Sequence, residues 1–309
     1  MGPTNPVAGD APAPNAPARG ISPPGYRLPA ATRLGIVRLQ VADLARSLPY
    51  YERVLGLHVL GRSGGVARLA ARGDTTALIE LHERPGAAPV PRRGRLGLYH
   101  FAILVPDRAA LGGFVRHLAE AGVQPGMSDH LVSEAIYLTD PDGLGIEVYA
   151  DRPRSTWRYD GSQLVMATAP LDVGDLLRAA GGAVWSGMPA GSVIGHVHLF
   201  VGDLKAAAAF YHAALGFDKV VWSYPGALFL SAGGYHHHLG TNTWAAGAAP
   251  AGEGDARLLE WEIVLPALGD VTAAAESLTK AGAAVERVSG GGVARDPWGT
   301  VVRLRAATL

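Results

Sequence analysis

Apolar and polar residues alternate along several short stretches of the chain, and a period of two marks each as a strand. Tyr99 to Val105 is one such run, with His100 among apolar neighbours. Gly145-Ile146-Glu147-Val148-Tyr149 is another, just after the turn Asp140-Pro141-Asp142-Gly143. Between strands lie segments that predict helices of about three turns, each closing at a glycine. On this pattern the chain resolves into four βαβββ units. The first opens at Gly35-Ile36-Val37, with a helix over Leu44 to Leu55 and strands through Leu78-Ile79-Glu80. The second opens at Tyr99-His100, with a helix over Ala109 to Ala121 and strands from Val123 to Tyr149. The third opens at Gly195-His196-Val197-His198, with a helix over Leu204 to Leu215 and a last strand region from His236 to Trp244. The fourth opens at Leu259-Glu260-Trp261-Glu262, with a helix over Val271 to Ala281 and strands to Arg305.

The units repeat in sequence as well as in pattern. Val41-Ala42-Asp43-Leu44, Tyr50-Tyr51 and Leu55-Gly56-Leu57 return as Val201-Gly202-Asp203-Leu204, Phe210-Tyr211 and Leu215-Gly216-Phe217, each at an offset of 160. Asp140-Pro141-Asp142-Gly143 returns as Asp296-Pro297-Trp298-Gly299, at an offset of 156. A self-similarity of this kind defines the architecture before anything else does. It implies an α+β protein in which the four units pair into two open, barrel-like mixed sheets with helices outside. Residues 33–150 form the first half and 193–309 the second. Residues 151–192 form a linker with one short helix, Val173 to Ala180, which is long for a connection inside a compact domain.

With 309 residues, 48% of them hydrophobic and 17% charged, the chain is globular and has room for two domains. A formal net charge of zero gives no reason to expect nucleic acid or an anionic membrane as partner. No apolar run approaches the length of a membrane span. The first 32 residues, rich in Pro, Ala and Gly, lack the features of a signal peptide and read as a disordered tail on a cytoplasmic protein. The absence of cysteine rules out disulfides and thiolate chemistry, so any metal must be held by His and carboxylate.

Ionisable residues inside apolar strands are costly to bury unless paired or bound to metal. His100 lies seven residues before Asp107, and His196 seven before Asp203. Ile36 and Glu260 take that place in the outer units, and Arg303 takes the place of Glu147 in the fourth. His100, Glu147 and His196 are thus the complete set the repeat offers, and two His with one carboxylate suit a non-haem Fe(II) facial triad. The ligands come from units two and three, so those two are expected to pair and build the metal barrel. His198 shares a strand face with His196 and ranks behind it. Adjacent strand residues face opposite ways, so His236, His237 and His238 cannot all clamp one ion. One of the three is better read as an acid–base residue. Tyr137, ten residues before Glu147, and His130 in the loop before it are further candidates beside the metal.

Taken together, the D-L-x-x-x-x-x-F/Y-Y…L-G helix and the D-P-D-G-x-G-I-E turn resemble the vicinal oxygen chelate superfamily of glyoxalases, bleomycin-resistance proteins and extradiol dioxygenases. The stretches Gly97-Leu98-Tyr99-His100-Phe101-Ala102-Ile103-Leu104, Ile194-Gly195-His196-Val197-His198 and Gly234-Tyr235-His236-His237-His238-Leu239-Gly240 are similar to those of bacterial two-domain catechol 2,3-dioxygenases. The resemblance implies His100, Glu147 and His196 as ligands of Fe(II), with Mn(II) left open. It selects His237 as the acid–base residue and Tyr137 as its catalytic partner. It implies O2 insertion into a catechol-type diol to give a 2-hydroxymuconic semialdehyde. The implied partners are a small aromatic diol and O2, with homo-oligomerisation left open. In better-known biphenyl-degrading relatives the ligands sit on the third and fourth units, not the second and third. Two other activities share the superfamily: metal-dependent isomerisation or antibiotic modification, and metal-free binding of aromatic drugs.

Overall fold

Strands pair across the two halves of the sequence. Gly97–Leu104, which opens the second unit, runs antiparallel to Val193–Phe200, which opens the third. Arg33–Val41 of the first unit runs antiparallel to Arg257–Leu265 of the fourth. Each opening strand also lies parallel to the last strand of its own unit, as Gly97–Leu104 does beside Gly145–Asp151 and Val193–Phe200 beside Leu239–Asn242. Two eight-stranded mixed sheets result, one from units two and three and one from units one and four. This is the α+β organisation read from the alternation, seen in a computed structural model that describes residues 19–182 and 184–307.

The repeated residues hold this arrangement together. Asp43, Asp107 and Asp203 cap the helices that follow them, accepting from the backbone N–H of Ala45, Ala110 and Ala206. Those helices span Leu44–Arg53, Arg108–Glu120 and Leu204–Ala207, and Leu268–Lys280 completes the set. The Asp-Pro turns are stapled to the preceding unit. Asp140 accepts from the N–H of Asp142 and Leu144 and from the Tyr51 hydroxyl, at 2.9, 2.9 and 3.1 Å. Asp296 accepts from Trp298, Thr300 and the Tyr211 hydroxyl, at 2.9, 2.8 and 2.9 Å. Each staple joins a helix of one sheet's unit to a turn of the other's.

Period-two alternation sorts the middle strands into two faces. Phe101, Ile103, Ile146, Val148, Val197 and Leu199 enter a core shared with Leu39 and Trp261 of the other sheet. His100, Ala102, Glu147, Tyr149, His196 and His198 take the opposite face. The corresponding places in units one and four hold a network of ion pairs. One Arg38 nitrogen bridges Glu260 and Glu262 at 2.6 and 2.7 Å, and another reaches Glu80 at 2.7 Å. Arg303 and Arg305 close it on Glu260 and Glu262. Burial opposes the charge on Glu262, but hydrogen bonds from Arg305 and Arg38 outweigh it and hold the carboxyl below its usual range.

Three expectations need correction. Residues 19–32 of the supposed tail are packed, not disordered: Ile21 and Lys219 exchange backbone bonds, Arg27 pairs with Asp218, and Leu28 is buried. The part of that expectation covering residues 1–18 lies outside the described residues. The third helix is not regular to its end. After Ala207 it widens over Ala208–Ala214, and Leu215 N–H reaches Phe210 O, five residues back. The His236-His237-His238 triplet precedes the strand Leu239–Asn242 instead of lying in it. Its polar density beside Gly233-Gly234 forms a bend, so the rule of opposite faces does not govern it. The linker keeps its predicted helix, Val173–Ala180, and adds a two-residue hairpin, Tyr159–Asp160 with Gln163–Leu164.

Candidate metal centre

Three neighbouring strands converge on one point. Glu147 lies beside Ala102 in the parallel pair, and Ala102 faces His196 across the antiparallel joint. The small Ala102 lets the flanking side chains meet over it. His100 Nε2 and His196 Nε2 lie 3.0 and 3.1 Å from one Glu147 oxygen and 3.3 Å from each other. Among the described residues this is the group of three His and carboxylate ligand atoms close enough to hold one metal ion. Bonds of about 2.1 Å at right angles put two ligands about 3.0 Å apart, so this triangle suits three mutually cis positions of an octahedral cation. Burial disfavours the charged forms of His100 and His196 and lowers both from the usual histidine value. Burial would also neutralise Glu147, but His196 and His100 hold its carboxyl well below the usual range. Two neutral imidazoles and a carboxylate are the donor set a divalent cation needs.

A cavity of about 210 Å³ adjoins the triangle, bordered by His100, Glu147, His237, Tyr137, His130 and the rings of Tyr99, Tyr224, Phe229 and Trp244. It lies below the 300–1,000 Å³ typical of drug-sized ligands, so it suits a single ring. A wider cleft of about 1290 Å³ shares Tyr99, His100, Tyr137 and Trp244 as walls. His237 packs its ring 4.0 Å from that of His196. Tyr137 and His130 form one unit: His130 Nδ1–H donates to Ala167 O at 2.7 Å, so Nε2 of the neutral ring accepts from the Tyr137 hydroxyl at 2.6 Å. Burial, and then the Glu147 charge, push the Tyr137 hydroxyl well above its usual value and keep it protonated.

The model of the Glyoxalase/Bleomycin resistance protein/Dioxygenase superfamily matches residues 33–148 and 193–304. The chain belongs to this superfamily. It is 46% identical over 270 residues to a catechol-2,3-dioxygenase of Bacillus subtilis (strain 168), covering 86% of this chain and 94% of that one. A solved Bacillus subtilis structure shares its fold with a TM-score of 0.62 at 13% identity, over 91% of this chain and 86% of that one. Glyoxalase I from Zea mays does so with a TM-score of 0.52 at 19% identity, over 89% and 92%.

The superfamily fold also places the remaining candidates. His198 borders the cavity, and its Nε2 accepts from Asn242 at 3.0 Å. Its ring lies against Gly240, where a Cβ would come within 2.8 Å of it, so glycine is needed there. His238 turns away: its Nδ1 accepts from Ala232 N–H at 3.2 Å and its ring lies near Phe217 and Tyr235, which makes it structural. His236 sits behind His237, 2.7 Å from it between Nδ1 atoms. Asp151, which is hydrogen-bonded to His236 and to Tyr235, and Tyr149, which is hydrogen-bonded to Tyr235, were not foreseen from sequence. Strand alternation puts 147, 149 and 151 on one face, and that was the available signal. Glu134 was also missed; it is buried and held by Arg108 and Arg152. No helix among the described residues is long and apolar enough to cross a membrane.

Proposed function

We propose that the protein is an extradiol ring-cleaving dioxygenase that holds one Fe(II) through His100, His196 and Glu147. It would insert O2 next to the diol of a catechol-type substrate and release a 2-hydroxymuconic semialdehyde. The observation that carries this reading is the buried His–His–Glu triangle at the wall of a single-ring cavity, with a third buried histidine, His237, beside it. Fe(II), or Mn(II) in the same ligand set, held by His100, His196 and Glu147, would supply Lewis acidity towards the diol and the redox chemistry that O2 requires.

The chain's own residues supply the rest. Burial, with the neighbouring histidines, holds His237 well below the usual histidine value, so at neutral pH the ring is an unprotonated base. It can take the second diol proton and return it as an acid later. Tyr137, anchored by His130, also lines the cavity. The aromatic walls orient a flat ring and exclude water.

The test is to load metal-free protein with Fe(II) without oxygen, add catechol, then admit air and follow the yellow ring-fission product. Product formation that scales with bound iron is expected. Absence of product from catechol and from alkyl- and aryl-substituted catechols, with one iron bound per chain, would overturn the reading.

A further inference from the structure

A line of hydrogen bonds runs from the cavity wall to a carboxylate. His237 Nδ1 lies 2.7 Å from His236 Nδ1, and His236 Nε2 lies 2.8 Å from Asp151 Oδ1. The same oxygen accepts from the Tyr235 hydroxyl at 3.1 Å, and that hydroxyl lies 2.6 Å from the hydroxyl of Tyr149. His236, His237, Tyr149 and Tyr235 are all buried. Nothing assigned so far to Glu147 or His237 requires this line.

An ionised carboxylate can only accept, and a neutral imidazole has one donor and one acceptor. With Asp151 ionised and the His236 ring neutral, His236 carries its hydrogen on Nε2 and accepts on Nδ1. His237 must then donate from Nδ1, which leaves its Nε2 bare, on a ring that borders the cavity. Tyr235 in turn donates to Asp151, and Tyr149 to Tyr235. Every proton in the line points towards the carboxylate.

We propose that Asp151 and His236 are positioning residues that fix the tautomer of His237, so that its Nε2 offers a lone pair to a substrate in the cavity. The inference rests on the reading of His237 as the proton-transfer residue. Asp151 lies on the Glu147 strand, four residues further on, so one strand presents both the proposed ligand and the anchor of the base. An Nδ1-bare tautomer would present an N–H to the cavity and could not take a proton from a diol.

Histidine 15N labelling of the full-length, metal-free protein tests this, because two-bond proton–nitrogen spectra separate Nδ1–H, Nε2–H and imidazolium forms. His237→Asn assigns the signal. In the wild type, His237 should be the Nδ1–H form. In Asp151→Asn, the side-chain amide can donate to His236 Nε2 and reverse the line, moving His237 towards Nε2–H. The iron-loaded variant should lose at least about tenfold in kcat, at or below the low end of the range for general acid–base catalysis. Its KM for catechol and its iron content should be unchanged, and Asp151→Glu should restore part of both the spectrum and the rate. A wild-type His237 that is Nε2–H or imidazolium overturns the proposal, and that spectrum decides it even if Asp151→Asn misfolds. So does a variant whose tautomer does not change. A shifted tautomer in a protein that cleaves no catechol would instead leave the positioning role standing and remove the dioxygenase reading.

Discussion

His100 and His196 point their Nε2 atoms at each other across 3.3 Å and share one oxygen of Glu147. Without a metal, each ring can donate an Nε2–H to that oxygen, which has two lone pairs, whereas a cation inside the triangle would take a lone pair from each of the three atoms. His196→Ala or His100→Ala should therefore lower bound iron from about one per chain to near zero, measured by elemental analysis, with the circular dichroism spectrum unchanged. His237→Phe should keep the iron and lose about two to four orders of magnitude in turnover. Tyr137→Phe should lose about tenfold, the scale of one hydrogen bond. Acidity gives a further test on metal-free protein. His198 and His237 lie well below the ordinary histidine value and His238 is pushed down to about 3, in each case chiefly by burial. The unfolded chain binds protons at these sites more readily than the folded one. Stability therefore drops as pH falls below about 6.5, by up to about 1.4 kcal/mol per pH unit for each histidine. Asp140, raised to about 6 by burial, and Asp296, also raised, act the other way as pH rises from about 4. They are outnumbered, so urea midpoints should fall from pH 7 to pH 5. The three ligand candidates were legible because the repeat isolates them. Asp151 was not, because its meaning depends on a loop histidine that no period in the sequence places beside it.

Elements explain why the repeated residues recur. Tyr51 and Tyr211 donate to the buried carboxylates of Asp140 and Asp296, and both acids also hold their own turns. Tyr51→Phe should cost about 1–2 kcal/mol in urea unfolding, the cost of a lost buried hydrogen bond. Arg38→Met should cost more, about 3–5 kcal/mol, because it leaves Glu262 and Glu260 buried with fewer partners. Helix positions are readable from the spacing of apolar residues, and aspartate caps mark the starts of the first three. The fourth, capped at Ala267 with no side-chain bond from that residue, starts at Leu268, three residues before the expected Val271. The widened end of the third helix was not readable: Ala208–Ala214 keeps a helical apolar pattern, and nothing in it marks a bond from Leu215 back to Phe210. The histidine bend was mistaken for strand because its apolar continuation, Leu239–Asn242, begins directly after it.

For the whole molecule, the decisive joint is the antiparallel contact of Gly97–Leu104 with Val193–Phe200. The proposed ligands are split between units two and three and require a common cavity, and these two strands lie side by side in one sheet. Residues 1–150 expressed alone should bind no iron, whereas the two halves expressed together should recover iron and ring cleavage. The joint has a consequence for the birth of the protein. While the chain leaves the ribosome, Arg33–Val41 and Gly97–Leu104 emerge with one edge each unpaired, and they stay so until the second half is made. A neighbouring nascent chain offers the same edges and the same complements. On a crowded polysome, two siblings can thus complete each other's sheets, and an intertwined dimer formed in this way would carry two whole sites, each assembled from both polypeptides.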